Sequence, residues 1–313
     1  MALSGSANYT IDRDSLISLV YEDLGAIRTG GAPSADELTY AASKLNMMVK
    51  AWQAHGLQLW VTKEAMLIPA KGQESYTLGP NGDHCSLSMG KTEMRVAAVA
   101  TDTTMEVDST TGMTAADFVG VVTDDGTIHW TTIASITDAD TFELASGLDS
   151  AAAIDNHLYY YTSKVDRPHE VISVFRREYD EKNDVEVIRI SKDEYYNLSN
   201  KDVEGVPVNC YYDPQLTDSK LYNWTTAGST FASSSVFILN IKKPFDDMDS
   251  STDDFEFPQE WYEAIVDGLK DRVAKHVGLN LQERMLIKQE AAISLELALG
   301  SDNEQTSIFI QPC

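Results

Sequence analysis

The chain has 313 residues, 43% of them hydrophobic, and sets 49 acidic side chains against 24 basic ones for a formal net charge of −25. That length and apolar content support a substantial core in two or three domains and exclude a disordered tail. The charge excludes tight binding of DNA or anionic lipid through a broad basic face, and no apolar run reaches the roughly 18 residues of a membrane-spanning helix.

The opening residues, MALSGSANYTIDRDSL, have neither a basic nor an apolar stretch, so no signal peptide is expected. Leu16, Leu19, Val20 and Leu24 then fall on one face of a helix. Asp12 or Asp14 is its cap and Gly25 its stop. After the turn RTGGAP, Ser34 and Glu37 have the spacing of a capping box. A stripe of Leu38, Ala41, Ala42, Leu45, Met48, Val49 and Trp52 follows, up to Gly56. Two helices joined by so short a turn predict a helical hairpin.

The period then changes. WVTKEAMLIPAKGQESYTLG reads as short strands broken by Pro69, Gly72 and Gly79. In DFVGVVTDDGTIHWTTIASITDADTFEL, the runs VGVVT and TIHWTTIASI form a hairpin around Asp124, Asp125 and Gly126. A second turn lies at Asp138 and Asp140, and LYYYTS is a further strand. Residues 96–163 thus read as a small inserted β-barrel or sandwich. Beyond Pro168, VISVFRREY and DVEVIRI are strands separated by DEKND, and ISKDEYYNLSN is a short helix from Ser191. VNCYYDP, KLYNWTT and SSVFILNIKKP are strands, the last apolar enough to be buried on both faces. DDMDSSTDDFEF reads as an exposed acidic loop.

Helical period returns at Phe257 and Pro258. Trp261, Ile265, Leu269, Val273 and Val277 form one stripe, ended by Gly278. Leu281, Met285, Ala292, Leu295 and Leu299 form the next, ended by Gly300. The expected fold class is α+β: a discontinuous helical bundle of 1–62 and 256–300, a β-sandwich of 63–95 and 164–255, the inserted 96–163, and a tail, 301–313.

Motifs for chemistry are weak. GxSxG, HExxH, Walker A and GxGxxG patterns are absent. Cys85, Cys210 and Cys313 are far apart and odd in number, which points away from a disulfide framework or zinc site and fits a reducing cytoplasm. His84 and Cys85 are neighbours, but adjacent strand residues point to opposite faces. Asp246, Asp247, Asp249, Asp253 and Asp254 lack the EF-hand order needed for calcium and suit a solvated loop better. With so many acids, a pair of carboxylates placed for glycoside hydrolysis carries no signal. The groups Tyr159–Tyr161, Tyr195–Tyr196 and Tyr211–Tyr212 could line a sugar site or a subunit interface, or be half-buried strand aromatics. No catalytic, cofactor or metal site is expected, and the chain does not read as an enzyme.

The two ends carry a resemblance. Leu24–Gly25, the run Leu45 to Met48, Trp52 and His55 to Leu57, together with FPQEWYEAIVDGLKDRVAKHVG near the C-terminus, resemble head-to-tail adaptor proteins of short-tailed bacteriophages. These are also described as tail tube or packaged-DNA stabilisation proteins. The resemblance covers roughly the first 80 and last 60 residues; small members of the group lack the insertion. It implies a homo-oligomeric ring, commonly of twelve subunits, docked beneath the portal in the virion tail and assembled in the host cytoplasm. The ring would contact the next tail component, a nozzle or hub, and DNA would pass through it without sequence-specific binding. Ile308, Phe309 and Ile310 would be the portal-docking residues, and such an apolar strand could add to a neighbour's sheet edge. Two other readings remain open: a virion-associated carbohydrate-binding or cell-wall-degrading protein, and a cellular β-sandwich adhesin, which the missing export signal disfavours.

Overall fold

The computed structural model describes residues 9–53, 59–178 and 183–302. It is a mixed α+β fold that divides into two compact units, 1–61 with 245–313, and 62–244.

The first unit is helical. Helix α1 (Arg13–Asp23) starts at Asp12, whose carboxylate accepts from the Ser15 amide at 2.7 Å. Helix α2 (Ala35–Gln53) starts with reciprocal bonds between Ser34 and Glu37, as the capping-box spacing predicts. The other two helices of this unit are α5 (Tyr262–Val277) and α6 (Leu281–Ser301). Gly278 ends α5 in the left-handed region at φ 87°, where a side chain would be strained. Asn280 and Glu283 form a second capping box that opens α6, a signal present in the sequence but not singled out there. Helix α5 packs against α1, α2 and α6. The core joins Leu16, Leu45 and Met48 from the N-terminal segment to Trp261, Ile265 and Leu269 from the C-terminal one. Lys270 of α5 also pairs with Asp23 of α1 at 2.6 Å.

Two expectations change in this unit. Leu19 is exposed, because the inward face of α1 is carried by Leu16, Ile17, Val20 and Tyr21. Residues 245–255, assigned to the β domain, lie in the helical unit, and the stretch 246–257, read as an exposed loop, buries Met248, Phe255 and Phe257 beside Phe245 in its core. The acids between them mostly face outward, and two basic side chains hold the segment. Lys50 pairs with Asp247 at 2.9 Å, and Arg13 donates to the carbonyls of Met248 and Asp249.

The second unit is β-rich. Its strands begin with β1 (Thr62–Leu67), β2 (Ser75–Leu78), β3 (Cys85–Ser86) and β4 (Gly90–Glu93). Next come β5 (Thr104–Glu106), β6 (Phe118–Val122), β7 (Ile128–Ile136), β8 (Thr141–Leu144) and β9 (His157–Tyr161). After β10 (Glu170–Glu178) and β11 (Asp184–Arg189), the short helix α3 (Lys192–Asn197) is capped by Ser191, as its sequence predicts. The unit closes with β12 (Glu204–Gly205), β13 (Asn209–Asp213), β14 (Ser219–Trp224), β15 (Thr226–Ala227), helix α4 (Ser229–Ser234) and β16 (Ser235–Lys242).

One sheet runs β2-β14-β13-β11-β10-β16-β1-β3, and a second runs β4-β9-β6-β7-β8-β5; β12 and β15 pair separately. The second sheet therefore starts at β4, Gly90, earlier than the boundary at 96 expected for the inserted segment. It has its own core around Met105, Val119, Phe142 and Leu158. Strand β16 is central, between β10 and β1, which explains its unbroken apolar run. Phe237, Leu239 and Ile241 face the core of their own sheet, while Val236 and Ile238 meet Val122 of β6 and Tyr159 of β9. The segment between β10 and β11, expected as the turn DEKND, lies mostly outside the described residues.

The turn after β2 is tight. The Asp83 carboxylate accepts from the Thr77 amide at 2.6 Å, and a methyl group on Gly82 would meet the Thr77 carbonyl oxygen at 2.2 Å. Backbone cannot yield there as a flexible side chain would. The Gly82→Ala variant is expected to lose about 1–3 kcal/mol, read as a lower urea midpoint with an unchanged slope.

Candidate functional site

The strongest departure from ordinary burial is on α6. Ser294 and Ala298 face inward, with Ile287, Leu295 and Leu299 partly covered. On the other side Met285, Leu286, Ile293 and Leu297 are 51–69% exposed. At 3.6 residues per turn these four lie within about 120° of the helix circumference. They share one face of the helix, with Gln289 and Glu296 interspersed among them. The sequence stripe for this helix placed Leu281 and Met285 inward; both face out, at 69% and 65% exposed. The small residues Ser294 and Ala298 allow α6 to pack on α5, so the large ones are left outside.

The same unit carries open depressions over α1 and α2. One, of about 550 Å³, is lined by Ser15, Ser18, Leu19 and Glu22 of α1 with Ala32 and Leu38. The other, of about 450 Å³, is lined by Ala35, Thr39, Ala42, Ser43 and Asn46 of α2. Asp14 and Leu38 border both. The first also takes in Tyr9 and Ile11 and the second Arg13 and Met248, so both mix apolar and charged side chains. The α6 stripe is bordered by Arg284 and Lys288 on one side and Glu290 on the other, with Glu296 inside its arc.

The expected docking residues Ile308, Phe309 and Ile310 lie outside the described residues. So do Cys313 and the His55–Leu57 stretch. The tyrosines sort by face. Tyr195 of α3 is buried against Tyr211 of β13 and Tyr222 of β14, with ring centroids 6.0 and 5.4 Å away. Lys201 sits 4.1 Å over the Tyr195 ring, and the Tyr195 hydroxyl donates to Glu74 at 2.9 Å. Its neighbour Tyr196 projects, at 61% exposed. Tyr222 was not anticipated; it joins because it is the direct cross-strand partner of Tyr211. Tyr159 and Tyr161 are buried in the second sheet.

Asp124 and Asp125 are engaged as turn acceptors. Asp125 accepts from the Thr127 hydroxyl, the Thr123 hydroxyl and the Thr127 amide, which together hold its carboxyl down at about 2. Cys85 and Cys210 are buried, and burial raises both thiols, Cys210 to about 12, so neither is a ready nucleophile.

One arrangement had no motif to reveal it. Ser146, His129 and Asp149 stand in the order of an acyl-transfer triad: Asp149 Oδ2 is 2.7 Å from His129 Nδ1, and Ser146 Oγ is 3.5 Å from Nε2. The serine hydroxyl, however, donates to Thr131 Oγ1 at 2.7 Å, and Asp149 is 83% exposed. The proton is directed away from the imidazole, and water screens the carboxylate. These bonds tie β7 to the loop after β8.

His84 is the most strongly perturbed histidine. Burial, and next the charge of Lys164, push it down to about 3. Its ring stacks on Trp130 at 3.5 Å and 4°. Because an unfolded histidine binds its proton near 6.5, stability is full above that pH and falls as the pH drops towards about 3. The lowered carboxylates, such as Glu37 and Asp184, act only below their ordinary values of 4.5 and 3.8. Between those values and 6.5 the fall in melting temperature is expected to include the His84 contribution, and His84→Gln is expected to flatten the slope in that window.

No family model matches the chain, and no curated protein does.

Proposed function

We propose that this protein is a non-enzymatic structural subunit of a head-to-tail adaptor ring, in which the α6 stripe of one copy seats in the α1–α2 depressions of the next. The observation that carries the reading is the stripe itself, four large apolar side chains 51–69% exposed on one helix face. Stripe and depressions are different surfaces of the same chain, so the contact is heterologous, and repeated heterologous contacts close into a ring when the rotation allows. The terminal segments would form one discontinuous helical bundle, and the β unit would meet the next tail component. The formal charge of −25 suits a channel wall that repels phosphate and gives a sliding duplex no hold. Ring size is set at about twelve by the resemblance alone. The ring belongs to the virion tail, below the portal.

Light scattering of the purified chain in high salt, where like charges are screened, tests the reading. The expected mass is a large multiple of 34.6 kDa; a mass that stays at one chain refutes it. Deleting residues 301–313 is expected to leave the secondary structure intact and abolish co-sedimentation with the portal. Undiminished co-sedimentation would remove Ile308, Phe309 and Ile310 from the docking role. The alternative, a virion-associated carbohydrate-binding or cell-wall-degrading protein, has one observation in its favour: a cleft of about 320 Å³ beside Trp130.

A further inference from the structure

We propose that a ribbon on the second sheet, residues 96–100 beside 150–154, docks a basic segment of a partner protein, one that carries lysine or arginine around apolar side chains. The inference does not rest on the ring. The second sheet curls until its ends meet: Met94, just after β4, bridges Val107, just after β5, and the Arg95 amide donates to the Glu106 carbonyl at 2.9 Å. The ribbon continues from that seam. Ala98 and Ala152 exchange both backbone bonds at 2.9 Å. The Met94 amide donates to the Asn156 carbonyl at 2.9 Å in the same register, which sets Val96 opposite Ile154.

Ala98 and Ala152 are buried, whereas Val99 is 64% exposed, Ile154 56% and Val96 45%. Ala97, Ala100 and Ala153 are exposed among them. Folding does not call for apolar residues here. Ile154 holds a corner of the turn closed by the Asn156 amide on the Ala153 carbonyl at 3.3 Å, a place where glycine, proline, asparagine, aspartate or serine is usual. Val99 opens a second turn, in which the Asp102 carboxylate accepts from the Val99 amide at 2.8 Å. The ribbon is also pinned by Asp124, whose carboxylate accepts from the Ala153 amide and the Asn156 side chain, both at 2.9 Å. An apolar surface held in this way has little freedom to lose on binding, as suits the centre of an interface.

Charge names the partner. Residues 90–161 carry twelve acidic side chains and two basic ones, Lys91 and Arg95. Both cations are already paired, Lys91 with Glu93 at 3.1 Å and Arg95 with Glu106 at 3.1 Å and with Asp140. Asp155 is exposed next to Ile154. A second copy of the ribbon would set these acids against themselves, and phosphate or anionic lipid would be repelled in the same way. A basic segment complements the acids around the ribbon while its apolar side chains cover Val99 and Ile154.

Methyl NMR of the full chain, labelled at isoleucine and valine and titrated with a synthetic amphipathic helix of leucine and lysine, tests the inference. Saturable shifts of the Val96, Val99 and Ile154 methyl signals are expected. Ile154→Ser and Val99→Ser, both at exposed positions, are each expected to weaken binding about ten-fold, the worth of one covered apolar side chain, with an unchanged far-UV spectrum. Asp155 has φ 66°, a conformation that asparagine also adopts. Asp155→Asn is expected to weaken binding less and to make it less sensitive to salt. Shifts centred elsewhere, an affinity that neither serine variant changes, or equal binding of a lysine-only peptide of the same charge would each overturn the assignment. Methyl signals are readable in single chains and in rings alike, so none of these outcomes bears on whether the chain forms a ring.

Discussion

Replacing Trp261 with alanine is expected to cost about 3–5 kcal/mol, the range for truncating a fully buried tryptophan. Trp261 is 1% exposed, and its ring centroid lies 5.0 Å from Trp60, 5.8 Å from Trp52 and 5.9 Å from Phe257. Trp52 and Trp60 come from the N-terminal segment, and Phe257 from the C-terminal one. The residue therefore joins two parts of the chain separated by the whole β unit, and no local contact can replace it. Typical domains have only about 5–15 kcal/mol in total, so the helical unit should unfold at a much lower urea concentration. Trp261→Phe, which keeps an aromatic ring, is expected to lose less. A loss below about 1 kcal/mol on truncation to alanine would mean that this cluster does not hold the unit together.

The second large effect concerns assembly. Leu297→Glu places a charge in the α6 stripe, and Ser43→Arg fills the depression along α2. Leu297 is 69% exposed and Ser43 is also exposed, so neither change should disturb the fold of the single chain. Each buried apolar side chain in such a contact contributes about 1.5–3 kcal/mol, and a charge at the seam adds an uncompensated desolvation cost. Each variant alone is expected to stay at 34.6 kDa. Mixed, the two still share one intact stripe and one intact depression. They should form a pair of unlike chains and nothing larger. Rings formed by either variant alone would show that stripe and depressions are not partners.

Much of the fold was legible because local chemistry and tertiary environment agree. The capping box at Ser34, the cap at Asp12, the stop at Gly278 and the short helix after Ser191 all occur where side-chain bonding requires them. The apolar run in β16 was readable as a doubly buried strand because two cores, one on each face, draw on alternate residues. The acidic stretch 246–254 misled because composition hides the anchors Met248 and Phe255, which point inward between outward carboxylates. Helix α6 misled for the opposite reason. It is apolar on both faces, so period alone could not say which face meets α5; the small residues Ser294 and Ala298 decide it. The cleft beside Trp130 could not be read at all, since Lys71, Asp83 and Trp130 come together only through the packing of two sheets.

The central claim is that this chain closes into a ring through the exposed face of α6. Negative-stain electron microscopy of the purified protein in high salt tests it most directly. The account predicts round particles with an open central channel, lost on Leu297→Glu. Fields of single chains or closed twofold dimers from the unaltered protein would contradict it.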